Sequence, residues 1–177
     1  MPRMDGLSMR KLLIAFSLVL CILLSSCSLL GTGTLGSDLD KADARVEQVI
    51  KVIQSQDKDA LKAMFSKQAL NEAQGLDEGI EYLFEFFQGE VRTIKMNGVS
   101  PGKSVDYGHI VKEVVSFYSV ETDKQKYLFF LIEYTQDTDH PDNVGLYALR
   151  VIRAEDKATQ FTYWQYMKIA GIYKPKA

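Results

Sequence analysis

The sequence predicts an α+β domain in which three N-terminal helices pack on a strongly curved antiparallel sheet. Between residues 39 and 87, apolar side chains recur with the 3.6-residue period of amphipathic helices. From residue 90 onward, β-branched and aromatic residues form runs separated by hairpin-length loops. Helices followed by strands are typical of the α+β class, and long strands twist and coil, which predicts the curvature.

A short apolar run near the N-terminus predicts export. Residues 10–27 read RKLLIAFSLVLCILLSSC, so two cations precede the run and small residues end it at Cys27. A secretory signal has this order, and the thirteen residues of Leu12–Leu24 are too few for a membrane span of about 20. Because a cysteine follows the small residues, the stretch resembles a bacterial lipobox. That resemblance implies an acylated Cys27 as the first residue of the mature protein.

The leader predicts three segments and a location. A signal peptide occupies 1–26, the lipidated cysteine and a flexible Gly/Ser/Thr tether occupy 27–37, and a single folded domain occupies 38–177. The lipid would make the membrane a partner and hold the protein on the outer face of the cell membrane. The alternative is the outer membrane of a double-membrane cell, because Ser28 rather than aspartate follows the cysteine.

The composition of the predicted mature chain excludes several classes of function. Without residues 1–26 it has 18 basic and 22 acidic residues, with the two signs interspersed. Nucleic-acid binding requires a basic patch or stripe, so no nucleic-acid partner is predicted. Cys21 leaves with the signal and Cys27 carries the lipid, so the domain contains no disulfide, cysteine nucleophile or thiolate metal site. No phosphate-binding glycine loop or G-x-S-x-G elbow occurs, and no cofactor is predicted.

Each helix has a predicted start and stop. Ser37 with Asp40 resembles a capping box and starts the first helix. The apolar face of this helix comprises Leu39, Ala42, Val46, Val49, Ile50 and Ile53, and its solvated face comprises Lys41, Arg45, Gln48 and Lys51. Asp57 caps the second helix, which breaks at Ser66. Asp77 caps the third helix, which stops at Gly89.

Turn residues divide the second half of the chain into strands. The dipeptides Asn97-Gly98 and Pro101-Gly102 predict turns that limit the first strand to 90–96. Gly108 and Gly145 lie inside predicted strands and indicate bends. The remaining strands are predicted at 107–121, 126–135, 144–153 and 161–169, with a turn at 122–125 and a polar loop at 136–143.

The order, lengths and texture of these elements resemble the nuclear transport factor 2-like (SnoaL-like) fold, a cone of helices and coiled sheet. With its lipobox and the string GIYKP at 171–175, the chain resembles a family of bacterial lipoproteins of uncharacterised function that carry this domain, over residues 39–175. The resemblance implies a ligand pocket between the helices and the concave sheet. Enzymes of the fold keep an Asp, His or Tyr inside the cone, but no such motif matches here residue by residue. A cystatin-like sheet around one helix is the alternative fold.

Glu133 is the acid that the sequence singles out as a weak catalytic candidate. In the strand KYLFFLIEYT it lies among apolar residues, where a carboxyl group has a raised pKa and can transfer protons. The competing interpretation, which we favour, is a salt bridge to Arg150 or Arg153, or exposure of Glu133 near the end of the strand. The predicted ligand-lining residues are Phe84, Phe87, Phe117, Glu133, Tyr134, Tyr147 and Trp164, each of which could equally fill a core.

No metal site is predicted. His109 and His140 are the only histidines and lie in no spaced cluster. The loop DTDHPDN lacks the glycine and the glutamate that a calcium-binding loop requires at its sixth and twelfth positions.

Both faces of the strand KYLFFLIEYT are apolar, so both must be covered. One face would meet the helices. The other would pack on Phe161, Tyr163 and Trp164, or on a second copy, which predicts a possible homodimer through the sheet.

These observations favour a lipid-anchored protein outside the cytoplasm that binds a small apolar or amphipathic ligand or a partner. Two alternatives are open. One is an enzyme that uses an interior acid for proton transfer or hydrolysis, and the other is a structural or interaction lipoprotein with a filled core. The sequence favours a binding role over an enzymatic one.

Overall fold

The computed structural model describes residues 34–161 and 168–173, which form an α+β arrangement. The helices are α1 (Thr34–Ser55), α2 (Lys58–Ala63), α3 (Lys67–Glu72), α4 (Leu76–Phe86) and α5 (Lys157–Gln160). The strands are β1 (Val91–Asp106), β2 (His109–Thr122), β3 (Lys126–Asp137), β4 (Gly145–Arg153) and β5 (Gly171–Ile172). The predicted class is therefore confirmed.

The helix boundaries follow local capping chemistry at two of the predicted sites. The carboxylate of Asp57 accepts a hydrogen bond from the backbone N–H of Ala60 at 2.9 Å and caps α2 as predicted. The predicted break at Ser66 is also confirmed, and its hydroxyl accepts from the N–H of Ala69 at 3.0 Å. Ser66 thereby starts a separate helix, α3.

Two predicted helix starts are wrong. Helix α1 begins at Thr34, so Ser37 lies inside it, because serine is tolerated within a helix as well as at its cap. Helix α4 is capped by Gly75, whose φ of +67° suits glycine, and not by Asp77. Asp77 lies in the first turn of α4, where the helix dipole favours an acid.

The five strands form one sheet in the order β1-β2-β3-β4-β5. The first four strands pair antiparallel, as predicted. Strand β5 pairs parallel to β4, so the sheet is mixed and the prediction of a purely antiparallel sheet is wrong. The predicted strand over 161–169 is not present at its described positions, Phe161, Lys168 and Ile169. The connection from β4 is long enough for the chain to cross over and return in the same direction.

Strand β1 is much longer than predicted. It passes through both predicted turns and pairs with β2 from Val91 to Asp106. A register shift before Gly98 absorbs one residue as a bulge. Pro101 is accommodated because β1 is an edge strand, where a missing N–H leaves no ladder bond unmade. The turn instead falls at Tyr107 and Gly108, whose φ values of +45° and +92° suit a tight hairpin.

One cluster of buried apolar side chains lies between the helices and the sheet. Its members are buried to 8% exposure or less and include Val46, Val49, Ile50, Leu61, Ile80, Leu83, Phe87, Tyr118, Tyr127, Phe129 and Leu131. A second cluster lies on the opposite face of the sheet and comprises Phe130, Ile132, Ala148, Ile152 and Phe161. Apolar clusters therefore lie on both faces of β3, and the predicted contact of Phe161 with the outer face is confirmed. Tyr163, which was predicted beside it, lies outside the described residues, and packing on a second copy stays a prediction.

Candidate functional site

The sheet departs from regular pairing on both sides of Glu133. On the β4 side the register shifts between Ile132 and Glu133, which leaves Tyr147 without an opposite residue. On the β2 side Thr135 is the unmatched residue. Such β-bulges bend a strand, re-aim its side chains and are frequent beside functional sites. Glu133 and Thr135 therefore occupy the most irregular part of the strand.

Glu133 forms an ion pair with Arg45 of α1. The guanidinium donates from Nε and Nη2 to Oε1 of Glu133, at 2.9 and 2.5 Å, and from Nη1 to Oε1 of Gln48 at 3.3 Å. The two charged side chains are 25% and 12% exposed, so both are largely removed from water. The pair joins the helical layer to the sheet across 88 positions of the sequence.

A groove of about 350 Å³ lies beside this ion pair, and we call it the Arg45–Glu133 groove. Its lining residues are Lys41, Ala44, Arg45 and Gln48 from α1, Glu133, Tyr134 and Thr135 from β3, and Val144 and Gly145 before and at the start of β4. The hydroxyl oxygen of Thr135 is buried and has no hydrogen-bond partner among the described residues. A buried, unpaired hydroxyl is costly, so it indicates a position that a ligand or water can satisfy.

Gly145 brings one wall of the groove against the junction of α2 and α3. Its φ is +133°, and a Cβ at this position would lie 3.0 Å from the backbone nitrogen of Ser66. The approach is held by two backbone hydrogen bonds, from Ser66 N–H to the Leu146 carbonyl at 2.9 Å and from Leu146 N–H to the Met64 carbonyl at 3.0 Å. Only glycine fits this position without displacing backbone.

A family model for a domain of unknown function, DUF5104, matches residues 48–154. The chain belongs to this family. The match includes all of α2 to β4, with Glu133, Thr135 and Gly145, whereas Lys41 and Arg45 precede it. No curated protein matches the chain.

The DUF5104 domain places the predicted lining residues in three different environments. Phe87 lies in the inner cluster, with ring centroids 4.8 Å from Tyr127 and 5.6 Å from Phe129, and Phe84 packs against the same cluster. Phe117 lies on the outer face against Phe130, at 4.8 Å. These three phenylalanines therefore do not line one common cavity with Glu133.

Tyr134 and Tyr147 do lie together, with ring centroids 5.8 Å apart. Tyr134 also lines the Arg45–Glu133 groove. The hydroxyl of Tyr147 donates to Oε2 of Glu72 at 2.8 Å, and burial together with this bond raises the pKa of Tyr147 to about 12. Of the remaining predicted residues, Trp164 and Cys27 lie outside the described residues.

The partners expected for Glu133 are wrong, although an ion pair is present. Arg150 stacks on the ring of Tyr173, with the guanidinium carbon 3.6 Å from the ring centroid. Arg153 lies near Phe86, at 5.8 Å. Arg45, which the helical pattern assigned to solvent, is the actual partner because α1 packs against the sheet beside Glu133. The pattern did place Lys41, Arg45 and Gln48 on one helical stripe, which was the available signal for the groove.

Among the described residues, the lining of the groove contains one acid, Glu133, and no histidine or cysteine. Across residues 34–161 and 168–173, no group of three or more His, Cys, Asp or Glu side chains is placed to hold a metal ion. In the same part of the chain, no helix has both the length and the apolar character needed to cross a bilayer. The arrangement offers charged and polar hydrogen-bonding groups beside a small apolar patch of Ala44 and Val144.

Proposed function

We propose that this protein is an exported lipoprotein, attached to the membrane through Cys27, whose DUF5104 domain binds a small amphipathic ligand in the Arg45–Glu133 groove. We also propose that the helices and sheet form a nuclear transport factor 2-like cone. The α+β order, with helices on one face of a long-stranded sheet, supports this fold.

The observation that carries the ligand-binding proposal is the buried, unpaired hydroxyl of Thr135 at a bulge that opens onto the groove. The volume of about 350 Å³ lies near the lower end of known ligand pockets, about 300–1,000 Å³. The proposed ligand site lies at this groove and not beside Phe84 and Phe87, since Phe87 is buried in the inner apolar cluster and Phe84 packs against that cluster.

The ligand-binding proposal is tested by nuclear magnetic resonance on a fragment spanning 28–177. Thr34–Ala177 forms a compact unit of its own that contains the described core, so the fragment retains it. We expect at least one eight-carbon amphiphile among octanoate, octyl glucoside and octylammonium to shift the amide signals of groove residues saturably. Each probe is used below its micelle concentration, so that the shifts report binding of single molecules.

Two tryptophan substitutions on α1, one inside the groove and one outside it as the control, test whether the shifts report binding in the groove. Ala44 is exposed on α1 and lines the groove, so Ala44→Trp should abolish the saturable shifts. Lys51→Trp, at an exposed position of the same helix outside the groove lining, should leave them unchanged. Absence of saturable groove shifts with all three probes would contradict the binding proposal.

The anchoring proposal rests on the leader and predicts a covalent modification. Mass spectrometry of the native protein should find a chain that begins at Cys27 and carries acyl groups. Cys27→Ser should abolish both the acylation and the cleavage, whereas Cys21→Ser, in the discarded part of the leader, should change neither. A native chain with its leader attached and residue 27 unmodified would overturn the anchoring proposal.

A further inference from the structure

We infer that the Arg45–Glu133 groove selects an amphiphile with a carboxylate head, which binds beside Glu133 on the unused donors of Arg45. This inference rests on the proposed ligand-binding function and adds the chemical class of the ligand. The hydrogen-bond donors, the charges and the apolar side chains of the groove support this inference.

Arg45 has N–H donors that its described hydrogen bonds do not use. A guanidinium has five N–H groups and accepts no hydrogen bonds. The contacts with Glu133 and Gln48 account for three of the five among the described residues. Because both bonds to Glu133 end on one side of the guanidinium, a ligand carboxylate can reach donors on Nη1 and Nη2 without displacing Glu133. Such paired contacts between arginine and carboxylate are strong and directional.

The charges that line the groove favour an anion. Lys41 and Arg45 are positive and Glu133 is negative, so the lining residues have a net charge of +1. Among the described residues, Lys41 has one ion pair, with the carboxylate of Asp38 at 3.9 Å, and its side chain is 57% exposed. A contact of this kind contributes little, so Lys41 is able to turn toward a ligand anion.

A cationic head would meet a less favourable site. Its only carboxylate partner in the lining is Glu133, whose Oε1 already accepts two hydrogen bonds from Arg45. A bound cation would therefore lie close to a positive guanidinium. The buried hydroxyl of Thr135 adds a donor that suits a carboxylate oxygen.

Two aliphatic side chains of the groove offer a short apolar surface to the ligand. Ala44 and Val144 line the groove, and Val144 is 43% exposed. Covering Val144 with an alkyl chain removes apolar surface from water and favours binding. A single short chain on a carboxylate head therefore matches both parts of the groove.

The test compares three head groups and one charge-removing variant on the fragment 28–177. Octanoate should bind at least about tenfold more tightly than octyl glucoside or octylammonium, measured by saturation of the groove amide shifts. Glu133→Gln keeps the side-chain shape and removes the negative charge beside the ligand. It should tighten octanoate binding about tenfold, because two carboxylates no longer share one guanidinium.

Lys41 provides a second variant that does not disturb the ion pair. Lys41→Gln should weaken octanoate binding about two- to fivefold, as expected for an exposed charge. Lys51→Gln, an equal charge change on the same helix outside the groove lining, should leave the affinity unchanged. The comparison of probes on the wild-type fragment and the Lys41 variant decides the inference even if Glu133→Gln fails to fold.

The outcomes separate the inference from the function on which it rests. Tighter binding of octylammonium, or equal binding of octyl glucoside and octanoate, would overturn the carboxylate assignment and leave the ligand-binding function standing. Weaker octanoate binding in a folded Glu133→Gln variant would also overturn it. Failure of all three probes to bind would overturn the ligand-binding function itself.

Discussion

Replacing Phe129 with alanine is expected to lower the free energy of unfolding by about 3–5 kcal/mol, the range for removing a large aromatic side chain from a packed core. Phe129 is fully buried in the third of five strands, and its ring meets Phe87 edge to face at 5.6 Å. The cavity that alanine leaves would lie between α4 and the sheet. Because neighbouring strands hold both sides of β3, the surrounding backbone cannot collapse to fill it.

Urea denaturation of the fragment 28–177 measures this loss. The matched control is Tyr107→Ala, the same aromatic truncation at a hairpin residue that is 98% exposed. It should change the free energy of unfolding by no more than about 0.5 kcal/mol. Similar losses at both positions would mean that β3 does not lie in the core.

Gly145→Ala is expected to lower the free energy of unfolding by about 2–4 kcal/mol. A non-glycine residue at a φ of +133° is strained by about 1–3 kcal/mol. The new Cβ would also lie 3.0 Å from the backbone nitrogen of Ser66, and relief of that contact stretches the hydrogen bonds that join Leu146 to Met64 and Ser66. Each of these bonds contributes about 0.5–1.5 kcal/mol.

Denaturation and amide spectra test this expectation together. Gly98→Ala is the control, since its Cβ would meet nothing within 4 Å, and it should be close to neutral. In a folded Gly145→Ala variant, the amide signals of Val144 and Ser66 should shift more than those of the distant Gly98. An unaltered stability for Gly145→Ala would show that the wall of the groove is not held by this contact.

The features that the sequence predicted correctly are those that depend on residues close together in the sequence. Asp57 and Ser66 each accept a hydrogen bond from an N–H three positions later, so their capping roles follow from local sequence. The nearly continuous apolar run of β3 likewise indicates that both faces are covered. Even local signals were overridden at Pro101, where pairing with β2 outweighs the turn preference of the dipeptide.

The sequence alone could not predict the groove. Glu133 was recognisable as an unusual acid, but the pattern could not name Arg45, 88 positions away, as its partner. The helical period placed Lys41, Arg45 and Gln48 on one face, yet it assigned that face to solvent. No sequence pattern indicated Thr135, because the burial of its hydroxyl accompanies a register shift between β2 and β3.

The sequence alone predicted the α+β class, the helix cap at Asp57, the helix break at Ser66, the first three strand-to-strand pairings and a leader that indicates lipid attachment. All of these depend on periodicity or on groups a few residues apart. The folded chain added the parallel fifth strand, the ion pair and the groove. These depend on where α1 lies against the sheet and on bulges that shift its register, and both are set by the packing of segments far apart in the chain.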